Sequence, residues 1–356
     1  MVKFKIECKE KEIGNSVKIE DGTEIICEKL FLGNGVIIGN NSKIQGKIVR
    51  IGDYTILGEN FIGNGIENFE IGKHCRIKSN SIIKSRYVKI GDNFRTFGAI
   101  DVGGGGWEDP ESKFIVENDC QIGEKCFINT ARSVVFKDKS ALALGSSILT
   151  HGFWQSVLEG YSATYGSVTL GENSWVTVNC TILPNVTIGD NSIVAAGSVV
   201  TKNIPSNCLA GGVPAKIIRE NYPMKLTQEQ KEKIILDIIN KYIPFLEVLN
   251  YEVKTDKDGS VNFKDKENKE YLIVFEKISK DLKLHKNKRA LVLGFNLSNY
   301  KIENSTFFNL NKLVVSGKCD KESERLRNHL RRHGIVFDFF DYPVDNYASK
   351  YWCVFE

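Results

Sequence analysis

From Leu170 to Ile204 the chain reads LGENSWVTVNCTILPNVTIGDNSIVAAGSVVTKNI, and a branched aliphatic recurs every six residues at Leu170, Val176, Ile182, Ile188, Val194 and Val200. Four residues after each of the first five stands a small or compact side chain: Ser174, Cys180, Val186, Ser192 and Ser198. A period of six fits neither the 3.6-residue repeat of a helix nor the alternation of a two-faced strand. It fits a chain that turns a corner every six residues and sends one aliphatic inward from each side. The spacing predicts a hexapeptide β-helix, a solenoid that buries a continuous core only by stacking its coils. A chance run in a β-sandwich is the competing reading, and six consecutive hits argue against it.

The period runs through the first hundred residues with slips of phase. Ile13, Ile19 and Ile25 form one phase, followed by Leu32, Ile38 and Ile44, then Ile51 and Leu57. Ile71, Ile77 and Ile83 form the next, and Ile90 and Thr96 follow. The tokens IGN, LGN, IGD, IGK and IGE place Gly just after the inward aliphatic, where a sharp corner excludes bulk. Asn34, Asn40, Asp53, Asp92 and Asn93 are expected to accept turn geometry and bond their own backbone. Each slip of phase implies a residue bulging at a corner.

Two stretches leave the period. Residues 103–115, GGGGWEDPESKFI, precede a resumed phase at Val116, Ile122, Ile128 and Val134. No GK[ST] follows the four glycines, so an ejected flexible loop is favoured over a phosphate cradle. Residues 151–169, HGFWQSVLEGYSATYGSVT, are rich in aromatics and glycine and read as a second loop leaving the wall. Long loops on rigid scaffolds carry binding and catalysis, which makes Trp154 and Tyr161 candidate acceptor contacts.

The repeats stop at Ile204-Pro205, and SNCLAGGVPAKIIRE brings the solenoid to an end near residue 219. Residues 1–219 are thus read as the solenoid and 220–356 as a separate small α/β domain. In the latter, Thr227 to Gln230 is a capping box leading a helix with Ile234, Ile235, Ile238, Ile239 and Tyr242 at helical spacing, ending near Asn240 ahead of Pro244. A hairpin is expected at Asp258-Gly259. Strands are expected at 271–275, 290–293, 313–315 and 335–340, with a helix over 321–332. Arg325, Arg327, Arg331, Arg332 and His333 read as a solvated helix surface rather than a binding face.

A net charge of +4, dispersed along the chain, gives no electrostatic footprint for nucleic acid. The N-terminus lacks the apolar core of a signal peptide, and no apolar run reaches membrane length, so a cytoplasmic protein is expected. Nine scattered cysteines with no CxxC pair suit reduced thiols. Cys120 and Cys126, six apart, read as core packing, and no metal is expected.

At Leu170–Arg219 the markers SxxxxxCxIL, IGDNSIVAAGSVVTKNIP and GGVPAKII resemble the closing coils of hexapeptide-repeat acyltransferases. The interval between His151 and Trp175 resembles that of bacterial surface-polysaccharide O-acetyltransferases, including those acting on sialic and polysialic acid. The resemblance covers about 200 residues and not the C-terminal domain. It implies a left-handed parallel β-helix of triangular section, assembled as a homotrimer. It implies acetyl-CoA in a groove between subunits, with a carbohydrate acceptor entering from the other side, at a place peripheral to glycan assembly on the inner membrane.

Acetyl transfer to a sugar hydroxyl removes a proton from a weak acid as it attacks, a task suited to imidazole. His151, at the junction of wall and aromatic loop, is the candidate base. By resemblance Trp175 lies beside the pantetheine thiol, Lys202 and Lys216 approach the phosphates, and backbone amides around Ala195, Ala196, Gly197, Gly211 and Gly212 hold the pantetheine arm. Asn129 resembles an acceptor-contacting asparagine, and the Gly152 N–H is the candidate oxyanion donor. N-acetylation of an amino-sugar nucleotide and a non-catalytic scaffold are the alternatives. A γ-type carbonic anhydrase needs three metal-binding histidines, and only His74 and His151 fall within the first 219 residues. A nucleotidyltransferase needs a sugar-nucleotide domain ahead of the repeats.

Overall fold

The computed structural model describes residues 4–257, 259–275, 288–297 and 305–337. The chain divides into two compact units, Met1–Met224 and Lys225–Glu356.

The first unit is a parallel β-solenoid built from the six-residue period. Every third inward residue falls on the same face. One column runs Ile83, Val102, Ile128, Ile148, Ile182, Val200, each paired in parallel with the next. A second runs Val116, Phe136, Leu170, Ile188, Ile204. The third runs Ile122, Leu142, Val176, Val194, Ala210. All of these side chains are buried in one continuous core, and each Val, Leu, Ile or Phe among them contributes about 1.5–3 kcal/mol if fully withdrawn from water.

Several expectations are corrected by the stacking. Ile13 is 42% exposed, because it pairs with Leu32 on one side and no strand lies on its other side among the described residues. The gap in the period between Leu57 and Ile71 is Gly63, whose inward slot is filled by Phe61 and Phe69. The glycines after the inward aliphatics do exclude bulk as expected, and the cause is the spacing between coils. A Cβ on Gly171 would lie 2.5 Å from Asp190 Oδ1, and one on Gly189 would lie 2.3 Å from Ser206 N. Left-handed backbone falls instead on Asn60, Asn80, Asn173, Asn191 and Asn207, with φ of 53–60°. Asn34, Asp53 and Asp92 do not bond their own backbone. Each accepts an N–H from the coil before it, as when Asn34 N donates to Asp53 Oδ1 at 2.8 Å and Lys73 N to Asp92 Oδ1 at 2.7 Å.

Four long strands, Glu24–Leu32, Lys43–Ile51, Ile62–Ile71 and Ile82–Ile90, run through a corner without a break. After them the sheet splits. Ile82-Ile83 pair with Asp101-Val102, while Tyr87–Ile90 pair with Lys113–Val116, and residues 104–112 leave between. The last coil is closed by a reversal: Lys216–Glu220 lies antiparallel to Cys208–Gly211. Cys120 and Cys126 are buried in the core, and burial pushes both thiols up, Cys120 to about 11.

The second unit carries a six-stranded sheet in the order Glu252–Thr255, Val261–Lys264, Glu270–Phe275, Arg289–Gly294, Ser305–Asn309, Val314–Gly317. The middle three strands are parallel and the flanking pairs antiparallel. Helix α1, Gln228–Val248, opens on the Thr227/Gln230 capping box and continues through Pro244, past the expected stop at Asn240. Pro244 and Asn240 both face solvent, so the carbonyl that loses its partner is hydrated. Ile234 is exposed, and the buried stripe is Ile235, Ile238, Ile239, Tyr242 and Leu246. Helix α2, Lys321–Arg332, has Arg325 and Arg327 paired with Glu322 and Glu324 at 2.6 Å. Residues 335–337 form no strand, and 338–340 lie outside the described residues; the expected hairpin forms from Glu252–Thr255 and Val261–Lys264, with Asp258 itself outside the described residues. A cavity of about 300 Å³ beside α2 is lined by Tyr251, Tyr271, Asp320, Glu322 and Arg325, with Arg325 and Tyr251 bonded to Glu322 and Tyr271 donating to Asp320.

Candidate active site

Three successive corners of the solenoid stack where the sheet has split. The lowest is 104–112, the next is 130–133, and the third is the excursion from Leu149 to Ser167. Register brings Gly103 beside Asn129 and Ile128 beside Ile148, so these corners share one edge.

In the third corner His151-Gly152 pair antiparallel with Thr164-Tyr165 and make a hairpin that projects from the wall. Its tip is a short turn, Val157–Glu159, capped by the Ser156 hydroxyl and ended by Gly160 at φ 88°. The imidazole of His151 packs at 5.3 Å from Phe153 and 5.9 Å from Tyr165, centroid to centroid.

Asn129 fixes the state of that imidazole. Its Nδ2 donates to Gly103 O at 3.2 Å and to Gly105 O at 3.0 Å, which settles which end of the amide is which. Its Oδ1 accepts from Ala131 N at 3.2 Å and from the Thr150 hydroxyl at 2.5 Å. The same Oδ1 lies 2.9 Å from His151 Nδ1. An amide oxygen only accepts, so Nδ1 is the donor, and in the neutral ring Nε2 is the nitrogen with the free lone pair. The expectation of Asn129 as an acceptor contact is corrected on this point: it is 3% exposed and its polar atoms are engaged by the protein.

The four glycines are not an ejected loop throughout. Gly103, Gly104 and Gly106 have φ of 142°, 72° and 82°, conformations that admit little but glycine. They carry the chain over Asn129, and a Cβ at Gly105 would stand 4.0 Å from His151 Cε1. The part that leaves the wall is 104–112 rather than 103–115.

Sequence reasoning missed Arg132. Its guanidinium meets Asp109 Oδ2 at 3.0 Å, Glu111 Oε2 at 2.9 Å and Ala131 O at 2.6 Å, and lies 4.5 Å from the centroid of Tyr165. Its backbone N–H donates to Thr150 Oγ1 at 3.2 Å. The Glu111 N–H, and then Arg132, hold the Asp109 carboxyl below the ordinary carboxylate range. The signal available in the sequence was the shared corner: NTARS occupies the same edge as GGGG one coil earlier.

The remaining candidates lie elsewhere in the unit. Trp175 projects from the other sheet, between Ala141 and Ile193, and is 47% exposed. No ring contact joins it to His151 among the described residues. Trp154, 91% exposed, and Tyr161 stand on the hairpin with no ring contact to the imidazole. The expected amide donors to a pantetheine arm are largely used already. Ala195 N donates to Ala210 O at 2.8 Å, Gly197 N to Val178 O at 3.0 Å, and Gly212 N to Ser198 Oγ at 3.0 Å. Gly211 pairs with Lys216 in the closing strands, and Ala196 sits at the exposed turn before Gly197. A Cβ at Gly197 would meet nothing within 4 Å, so that corner is open to a ligand's approach. Lys202 and Lys216 are exposed and have no ion pair among the described residues.

Residues 167–202 match the family model described as bacterial transferase hexapeptide (six repeats). The galactoside O-acetyltransferase of Escherichia coli K12 is 30% identical over 153 residues, covering 40% of this chain and 68% of that one. A putative acetyltransferase of Saccharomyces cerevisiae is 51% identical over 53 residues, 15% of this chain and 27% of its own. Among solved structures, a galactoside acetyltransferase in complex with coenzyme A is 26% identical, with coverages of 39% and 70% and a TM-score of 0.31. The polySia-specific acetyltransferase NeuO is 18% identical, with coverages of 64% and 84% and a TM-score of 0.33. The period, the buried columns and the extent of the match to the galactoside enzyme agree, and the chain belongs to the hexapeptide-repeat acetyltransferases.

Proposed function

We propose that this chain transfers the acetyl group of acetyl-CoA to a sugar hydroxyl of a bacterial surface glycan, with His151 as general base. The observation that carries the reading is the fixed tautomer: Asn129 holds the Nδ1 proton and leaves Nε2 free to accept one. As the acceptor oxygen attacks the thioester carbonyl, its proton passes to Nε2. The tetrahedral intermediate collapses with loss of the coenzyme A thiolate, which takes the proton back from the imidazolium. The Gly152 N–H, expected as the oxyanion donor, lies opposite Thr164 in a hydrogen-bonded pair of the hairpin and is not free for that role. Such base assistance is worth about 10²–10⁴ in rate.

Trp175, exposed on a different sheet from His151, supports active sites shared between copies of a homotrimer, with the indole lining a neighbour's thioester channel. Lys202 and Lys216, without an ion pair among the described residues, are point charges suited to the coenzyme's phosphates. The free space over Gly197 suits the pantetheine chain, which would meet carbonyls as well as amides. At the acceptor side, Arg132 turns Nη1 and Nε to Asp109 and Glu111, which leaves it less suited to a sugar carboxylate. That favours a neutral hexose hydroxyl over sialic acid, with the aromatic rings of Trp154 and Tyr161 as contacts for its apolar face.

The test is thiol release from acetyl-CoA with neutral hexosides, sialylated glycans and amino-sugar nucleotides as acceptors. Acceptor-dependent release with the hexosides, and a loss of about 10²–10⁴ in kcat for His151→Ala with coenzyme A still bound, are expected. Full turnover in His151→Ala would refute the base assignment, and no release with any acceptor would favour a scaffold. Co-refolding the inactive His151→Ala and Trp175→Ala chains tests the shared site. Mixed trimers regain activity only where the two side chains come from different copies.

A further inference from the structure

We propose that Arg132 is a positioning residue for His151, a single guanidinium that pins three successive corners of the solenoid around the imidazole. The proposal rests on the acyl-transfer reading above for its kinetic consequence, though not for its structural one.

The hairpin from Gly152 to Tyr165 contributes no buried side chain, and most of 104–112 is also exposed. The hydrophobic core that fixes the rest of the solenoid does not reach these segments, so polar contacts between corners have to fix them. Asn129 does this at the near end, through Gly103 and Gly105. Arg132 does it at the far end. From the middle corner it reaches down to both Asp109 and Glu111, and across to the ring of Tyr165, the residue paired with His151 in the hairpin. Tyr165 also packs against the imidazole itself and against Phe153. Through its backbone N–H, Arg132 further holds the Thr150 hydroxyl that donates to Asn129 Oδ1.

With Nη1 and Nε turned toward protein oxygens, the guanidinium is committed to holding the site rather than to binding substrate. Isolated surface ion pairs are weak. Here one planar fork serves two carboxylates, a carbonyl and a ring, a set of contacts that the single ammonium of lysine cannot reproduce. Without it the Tyr165 strand and the acidic loop are free to move, and the imidazole loses the ring packed against it.

The test compares Arg132→Met and Arg132→Lys with the unaltered full-length chain. Each is followed by steady-state kinetics, by hydrogen exchange and by long-range proton–nitrogen correlation of the imidazoles. Expected for Arg132→Met is a fall in kcat of about 10–10²-fold from misplacement of the base. The KM for acetyl-CoA and the melting temperature should stay unchanged. Exchange should quicken only in 104–112 and 152–165, and the His151 resonances should move from the Nδ1–H form to a mixture of tautomers. Arg132→Lys should recover little, whereas guanidinium chloride at millimolar concentration should partly restore Arg132→Ala, with ammonium chloride at equal ionic strength as the inactive control.

Unchanged kcat, exchange and tautomer in Arg132→Met would overturn the proposal. So would a loss that spreads through the whole solenoid with a lowered melting temperature, which marks a structural role alone. Should the unaltered chain release no thiol with any acceptor, the reaction assignment falls. The tautomer and exchange measurements then still decide the role of Arg132.

Discussion

Replacing Asn129 with leucine keeps the side-chain volume nearly constant and removes every polar contact the amide makes. Two donors in buried residues, Ala131 N–H and the Thr150 hydroxyl, lose the oxygen they share, while Gly105 O is exposed and exchanges its partner for water. An orphaned buried donor costs about 1–3 kcal/mol, so the local penalty is about 2–6 kcal/mol less whatever the leucine gains by burial. His151 keeps its place in the hairpin but loses the acceptor for its Nδ1 proton, so Nε2 is protonated in part of the population and useless as a base. The loss in kcat should therefore be smaller than for His151→Ala, about 10–10²-fold within the 10²–10⁴ that general-base assistance supplies. Acetyl-CoA should bind as before. Stopped-time assays of thiol release, read beside thermal melts, separate the two effects. A variant with unchanged kcat and a lowered melting temperature would show that Asn129 only braces the glycine run, and the tautomer argument would be wrong.

Other outcomes follow from the stack. Gly171→Ala puts a Cβ against the backbone and carboxylate of Asp190, and calorimetry should find about 1–3 kcal/mol of destabilisation; no change would mean that coil spacing is softer than described. Ile128→Ala, at a fully buried position flanked by Val102 and Ile148, should cost about 2–5 kcal/mol in denaturant unfolding. In the second unit, burial holds the His329 imidazole below its ordinary 6.5, against the pull of its contact with the Ile238 carbonyl. The folded state then binds fewer protons than the unfolded one, so this contribution is whole above about pH 6.5 and drains away as pH falls below it. Burial raises Glu322 above 4.5, which acts in the opposite sense: that contribution is whole below 4.5 and is lost as pH rises. Only a difference between variants isolates the histidine. Protection of α2 amides, corrected for intrinsic exchange, should fall from pH 7 to 5.5 in the parent chain and less in His329→Gln; parallel curves would remove His329 as the cause.

How far the sequence could be read depended on whether the cause was local. The period at Leu170–Val200 is a property of the chain itself, and its inward side chains are all buried. Where neighbours decide, the period misleads. Beyond Ile13 lies no further strand among the described residues, and at Gly63 two phenylalanines from flanking positions fill an inward slot that has no side chain of its own. The α1 helix ran past Asn240 because Pro244 happens to face water, which depends on what α1 packs against. The position of His151 before the aromatic loop was legible, and it stands at the foot of a projecting hairpin. Arg132 was not legible, because its partners Asp109, Glu111 and Tyr165 belong to the corners before and after it and meet only once the coils are stacked. The glycine run was read as slack chain for the same reason: its tight approach to Asn129 crosses from one coil to the next.

The two ends of the solenoid solve opposite halves of one problem. A pile of parallel rungs presents open hydrogen-bonding edges, and such edges recruit other chains. At the late end the backbone doubles back, and Lys216–Glu220 occupies the place a further rung would take. At the early end the rim is sewn with opposite charges, Lys9 to Glu28 and Lys29 to Glu10, which a docking strand would have to strip of water. Because both stoppers lie far in sequence from the edge that holds His151, whole rungs could be gained or lost in the stretch from Glu24 to Ile90 without disturbing either. Catalytic machinery of this design is free to ride on towers of different height.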